Sequence, residues 1–169
     1  MLATMSTASN AIKTGLFTLF VPAVVALYVP QRMLVTGHSP LVVPIIWRVV
    51  GGLLIVLGVI GYFWCASLFV RAQGTPAPIM PTKSAVASGP YRINRNPMYC
   101  SVLSAVFGQS VFYQNWRLAR YGAFLAICFH VFVLLYEEPS LRARFDGEYE
   151  EFCRRVPRWI PRLRTATRR

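Results

Sequence analysis

At 169 residues the chain has the length of a single domain. It is 55% hydrophobic and only 14% charged, with a mean hydropathy of +0.46, which is too apolar for an ordinary soluble domain and fits an integral membrane protein. The net charge of +12, from 18 Lys plus Arg against 6 Asp plus Glu, could meet nucleic acid. That partner is set aside because the excess lies in loops and a tail beside apolar runs, where it anchors the cytoplasmic side and meets anionic lipid.

In chain order, 1–10 is polar, Thr14 to Gln31 carries no charge, and Gly15 to Val29 is almost wholly apolar. This predicts a first membrane helix, slightly short against the usual ~17–25 residues and open to a kink at Pro22. Arg32 to Arg48, with Gly37, His38, Pro40 and Pro44, reads as a loop whose second half lies at the interface or extends the next helix. Val49 to Val70 is the second span, with Gly51, Gly52, Gly58 and Gly61 allowing close helix contact. Arg71 to Arg95 is polar, and Pro76, Pro78 and Pro81 forbid a regular helix.

Asn96 to Trp116 is the third span: Asn96 suits a cap and Pro97 a first helical position. Gln109 within it should face protein rather than lipid. Arg117 to Arg120 reads as a short turn, and Tyr121 to Tyr136 as the fourth span. Pro139 should end that helix and start another, with Glu138 near the cap. Leu141, Phe145, Tyr149 and Phe152 recur at helical spacing, so this last helix should be amphipathic, with Glu138 and Arg142 able to pair on it. Pro157 and Pro161 end it before a basic tail.

The expected fold is therefore all-α: a bundle of about four transmembrane helices plus a C-terminal amphipathic helix, in one domain over 1–169. One side of the membrane would hold 14 basic residues and the other 4 (Arg32, Arg48, Arg117 and Arg120). Both termini should then be cytoplasmic, with the Arg71–Arg95 loop. The four cysteines form no C-x-x-C pair and read as small apolar packers, and no metal site is expected. His130 reads as a histidine bonded to a neighbouring helix. No cleavable signal peptide is evident, and nothing in the chain sets an oligomeric state.

Two motifs carry chemistry. One is Ser88-Gly89-Pro90-Tyr91 with Arg95-Asn96-Pro97-Met98-Tyr99; the other is Glu137-Glu138-Pro139-Ser140-Leu141. Each is weak alone. Both fall at the same predicted end of an antiparallel hairpin, so Arg95, Tyr99, Glu137 and Glu138 can converge there. Adjacent helical residues point ~100° apart, so the two glutamates should not serve one ligand equally. A cation, carboxylates and aromatic faces suit a zwitterionic, nucleoside-bearing ligand with a positive centre. Neither a dinucleotide-binding glycine motif nor a P-loop is present.

These residues resemble the isoprenylcysteine carboxyl methyltransferase family and its relatives, the membrane phospholipid methyltransferases. The likeness covers about residues 50 to 163, including Phe145, Gly147, Tyr149, Val156-Pro157 and Ile160-Pro161. It implies an integral-membrane enzyme using S-adenosylmethionine on a lipophilic or prenylated small substrate. Lys83, Ser84, Ala85, Val86, Tyr91, Asn96, Pro97, Met98, Tyr99 and Glu137 map to cofactor contacts, and Arg95 and Glu138 are the candidate catalytic residues. Asn96 stands where the family motif has histidine, and Val133 where eukaryotic members have a substrate-contacting arginine. The methyl acceptor is left open among a carboxylate, a phospholipid or other amine, and a small thiol. A non-catalytic membrane scaffold is the reading outside enzymes.

Overall fold

The computed structural model describes residues 22–36, 44–71 and 89–160. Every regular element among them is helical. α1 is Val24–Val35, opening with a π turn at Val24–Tyr28. α2 is Ile45–Arg71. A 3-10 turn, Gly89–Arg92, leads to α3, Pro97–Tyr113. α4 is Trp116–Phe132, followed by a second π turn at Val133–Glu137 and α5, Glu138–Arg155.

α3 is the axis of the bundle, burying Pro97, Val102, Ala105, Val106, Gly108, Gln109 and Ser110 between its neighbours. α2 meets it backbone to backbone. A Cβ on Gly51 would sit 2.5 Å from the Phe112 nitrogen, one on Gly58 2.6 Å from the Ser101 carbonyl, and one on Gly61 2.6 Å from Ser101 Oγ. α3 contributes Gly108 to the same seam, where a Cβ would lie 2.8 Å from the Ile55 nitrogen. Gly52 stands apart, with only the Phe112 ring at 3.9 Å. Ser104 Oγ adds a hydrogen bond to the Leu54 carbonyl, 2.8 Å away. Such small-residue packing is how helices associate where lipid removes the hydrophobic drive.

Among the described residues two helices are long and apolar enough to cross a bilayer, Ile45–Leu68 and the continuous run Trp116–Phe145, fewer than the four expected. The difference has local causes. α3 stops at Tyr113 after 17 residues because Gln114 turns left-handed, with φ 49°. α4 starts at Trp116, capped by the Asn115 side chain accepting from the Arg117 N–H. The turn is therefore Gln114-Asn115, and Arg117 to Arg120 belong to the start of α4. Only 22–35 of the first expected span is described; there the helix continues past Gln31 to Val35.

Pro139 does not break the chain either. The Glu138 N–H reaches back five residues to the Val133 carbonyl, and the widened π turn makes room for the proline ring, so α4 runs into α5. The same device precedes Pro30: the Val29 N–H bonds the Val24 carbonyl. Pro30 has no N–H for the Ala26 carbonyl. Gln109 Nε2 donates to that carbonyl at 2.7 Å, and the Tyr121 hydroxyl donates to the Val25 carbonyl at 3.0 Å. Gln109 thus faces protein, as its polarity demanded.

Of the cysteines, Cys65 is fully buried, but Cys128 is exposed and two others make polar contacts. Asn94 Nδ2 donates to Cys100 Sγ at 3.3 Å, and Arg95 Nη1 to Cys153 Sγ at 2.8 Å. The apolar-packer reading therefore holds for Cys65 alone. No three His, Cys, Asp or Glu side chains cluster among the described residues. α5 buries Tyr149 and turns Arg144, Glu148 and Glu151 outward, an amphipathic helix ending before Pro157.

Candidate functional site

The two motifs meet at one end of the bundle. Tyr99, in the first turn of α3, donates its phenolic hydrogen to Glu137 Oε2 at 3.0 Å. Phe129 of α4 lies against the Tyr99 ring with centroids 4.8 Å apart, and Trp159 approaches it at 6.5 Å. Tyr91 is brought close to this carboxylate by the 3-10 turn that Gly89 opens at φ 56°. Burial pushes the Tyr91 phenol above its ordinary range, and Cys65, Glu137 and Tyr99 nearby add to that, so it stays protonated and neutral.

Glu138 faces another way. It is 3% exposed and enclosed by cations. Arg158 binds it with Nε at 2.6 Å and Nη2 at 2.9 Å, one to each carboxylate oxygen. Arg95 Nη1 reaches Oε1 at 3.0 Å, and Arg142, four residues on, lies 3.8 Å from Oε2. The sequence-predicted convergence is therefore split: Tyr99 with Glu137, and Arg95 with Glu138. The carboxylate that Arg95 meets is the protein's own.

Asn96 occupies the cap position of α3 without capping through its side chain. Its N–H goes to Asn94 Oδ1 at 2.6 Å, and its Nδ2 donates to the Arg158 carbonyl at 3.1 Å. The Arg95 N–H donates to the Pro157 carbonyl at 2.9 Å. Trp159 Nε1 donates to His130 Nδ1 at 3.0 Å. Together these bonds fasten the segment 156–160 as a strap across the ends of α3 and α4. His130 is thus bonded to the strap rather than to a neighbouring helix. Pro97 is buried at the first helical position and Met98 is half-buried beside it. Val133 is 1% exposed and belongs to the buried core. Lys83, Ser84, Ala85 and Val86 lie outside the described residues.

Arg158, Trp159, Phe129 and Asn94 were not singled out by the sequence. Arg158 and Trp159 follow the Val156-Pro157 step of the C-terminal motif, the one signal that could have flagged them; within an arginine-rich tail they read as solvated. A cavity lined by Met33, Arg117, Arg120, Tyr121 and Phe124 lies at the opposite end of the bundle, away from both motifs.

Residues 46–148 match the phospholipid methyltransferase family, which lies in the isoprenylcysteine carboxyl methyltransferase-like superfamily. The chain is 27% identical over 135 residues to the nickel-cobalt-cadmium resistance protein NccN of Alcaligenes xylosoxydans xylosoxydans, covering 77% of this chain and 58% of that protein. It is 27% identical over 128 residues to the cobalt-zinc-cadmium resistance protein CzcN of Cupriavidus metallidurans, covering 76% of this chain and 53% of that protein. The chain thus spans a little over half the length of the curated relatives it matches. No solved structure matches it.

Proposed function

Because the chain belongs to the phospholipid methyltransferase family, we propose that it is an integral-membrane methyltransferase that draws on S-adenosylmethionine and acts on a lipophilic acceptor. The observation that carries this reading is the Tyr99–Glu137 hydrogen bond, which joins two motifs 38 residues apart at one site. The donor set fits the cofactor: Glu137 offers a carboxylate to a ribose diol or an amino group, and Tyr99, Phe129 and Trp159 offer aromatic faces to a sulfonium. Tyr91 offers a neutral hydroxyl, and Asn96, Pro97 and Met98 shape the wall beside Tyr99. By resemblance, Lys83, Ser84, Ala85 and Val86 complete it. When bound, S-adenosylmethionine supplies an electrophilic methyl group on sulfur.

What the chain adds is position, the main demand of an in-line transfer. Glu138 and Arg95 serve as positioning residues, since each is engaged by the other and by the strap. Asn96 has no proton to move at neutral pH. A carboxylate acceptor needs no base, and for an amine or thiol acceptor Glu137 is the carboxylate available. The charge asymmetry supports a cytoplasmic site, with a charged cofactor arriving from water and the acceptor from lipid.

Calorimetric titration of the purified, folded protein with S-adenosylhomocysteine tests the reading. Saturable binding supports it, and no heat from a folded preparation favours a non-catalytic scaffold. Lipid extracts from cells with and without the gene then rank a carboxylate acceptor, including an isoprenylcysteine, against amine and thiol acceptors. A tie to metal resistance is a second reading, favoured by the names of the two relatives. Growth of the same two strains on cobalt or cadmium checks it.

A further inference from the structure

The acidic side chains of this protein are Glu137, Glu138, Asp146, Glu148, Glu150 and Glu151, and no Asp or Glu precedes Glu137. All six lie in the second π turn or in α5. The opposite end of the bundle is cationic. Thr36, which closes α1, accepts from Arg117 Nη1 at 3.0 Å, and Gly51, near the start of α2, lies against Phe112 at the end of α3. Arg32, Arg48, Arg117 and Arg120 consequently share that end, with no carboxylate side chain in their part of the sequence. Arg117 and Arg120 border the cavity there, of about 380 Å³, whose other walls are Met33, Tyr121 and Phe124. That volume lies within the ~300–1,000 Å³ of ligand sites. The Tyr121 hydroxyl is engaged by the Val25 carbonyl, so its ring is what the cavity meets. Phe124 is 61% exposed on a helix long enough to cross a bilayer, so the cavity opens toward lipid. Arg117 and Arg120 are three residues apart and share one helix face. Arg120 sits one turn inward of Trp116, yet its guanidinium carbon lies 6.0 Å from the Trp116 ring, at the level where interfacial aromatics meet headgroups. Arg117 uses one N–H on Thr36, and a guanidinium carries five, in a fork that matches phosphate.

We propose that this cavity is a binding site for an anionic phospholipid of the leaflet at that end. One acyl chain lies along Met33, Tyr121 and Phe124, and the phosphate meets Arg117 and Arg120. The lipid supplies the negative charge that the chain places only at its other end, and it joins α1 to α4. A zwitterionic lipid suits the site less, because its ammonium group is repelled by the same arginines. The site is remote from the Tyr99–Glu137 pair and independent of the methyltransferase reading.

The probe for the test is phosphatidylglycerol with a photoactivatable diazirine in its acyl chain, mixed into phosphatidylcholine bilayers that hold the full chain. After irradiation, mass spectrometry should place adducts on Met33, Tyr121 or Phe124, with a yield that saturates as the probe increases. Unlabelled phosphatidylglycerol should displace the probe and soluble glycerol 3-phosphate should not, which separates a lipid from a free phosphate. Arg117→Gln and Arg120→Gln should each weaken binding ~5-fold, and together ~30-fold. Arg154→Gln combined with Arg155→Gln removes the same charge from α5 and should leave binding unchanged. If Arg117→Gln does not fold, Arg120→Gln, which keeps the Thr36 bond, decides the matter. Adducts that avoid these three residues, or that never saturate, overturn the proposal. Equal labelling by a phosphatidylcholine probe would reduce the cavity to a plain apolar groove and overturn it too. So would displacement by glycerol 3-phosphate, or an equal loss in the Arg154 and Arg155 variant.

Discussion

Arg158 holds Glu138 by both carboxylate oxygens, at 2.6 and 2.9 Å, and in doing so ties the strap to the start of α5. The pair is supported by Arg95 from the loop before α3, so one buried carboxylate organises three segments. Removing one partner from such a buried cluster leaves uncompensated charge, at a cost of about 3–5 kcal/mol.

Glu138→Ala should therefore lower the thermal midpoint markedly in detergent and expose the strap to trypsin at Arg158. Arg142→Ala, at a half-exposed partner 3.8 Å away, should do neither. Equal midpoints and equal cleavage patterns for the two variants would remove the fastening role of Glu138.

Tyr99 and Glu137 should act as a unit toward the cofactor. Losing a hydrogen bond to a charged group costs roughly 1.5–3 kcal/mol, so Tyr99→Phe and Glu137→Gln should each weaken S-adenosylhomocysteine binding ~10-fold or more. In the double variant the losses should not add, because either change breaks the same bond. Full additivity by calorimetry would mean that the two side chains serve the ligand separately.

The α2–α3 seam should discriminate between neighbouring glycines. Gly51→Ala and Gly58→Ala press a methyl group onto the backbone of α3 and should cost about 1–3 kcal/mol by overpacking. Gly52→Ala has room and should be close to neutral. Thermal unfolding of the three variants in one detergent gives the order; because alanine is the better helix former, a Gly52 variant as unstable as the others would show that the 3.9 Å gap to the Phe112 ring does not leave room for a methyl group.

Gln109 and Pro30 should be linked. Gln109→Leu leaves the Ala26 carbonyl without its donor, at a cost of about 1–3 kcal/mol. Pro30→Ala restores a backbone N–H able to serve that carbonyl, and should reduce the penalty of Gln109→Leu. A penalty unchanged by Pro30→Ala would show that the carbonyl is satisfied in some other way.

Much of this arrangement was legible in the residues. Asn96-Pro97 marked the start of α3, three of the four glycines of α2 marked its contact face, and Gln109 announced a protein neighbour. The facing of Tyr99 and Glu137 followed from a short hairpin with a motif at each far end. Other features lay beyond pattern. Gln114 is not a usual left-handed residue, so a charge-free run concealed a helix end. Pro139 read as a break because a π turn has no signature in composition. The hold of Arg158 on Glu138 was hidden in a run of arginines, since charge alone cannot say which cation folds back.

The π turn at Val133–Glu137 also has an angular meaning. Each residue of an α-helix advances the side chains by ~100°, so one additional residue in a turn rotates everything downstream relative to everything upstream. α4 presents Leu118 and Leu125 to the bundle, and α5 presents Glu138 and Tyr149 to the strap. A helix of strictly regular pitch from Trp116 to Arg155 would carry one of these faces out of phase. The two carboxylates sit at the seam where the phase is reset, and so one aims at an aromatic wall and the other at arginines, although they are neighbours in the chain.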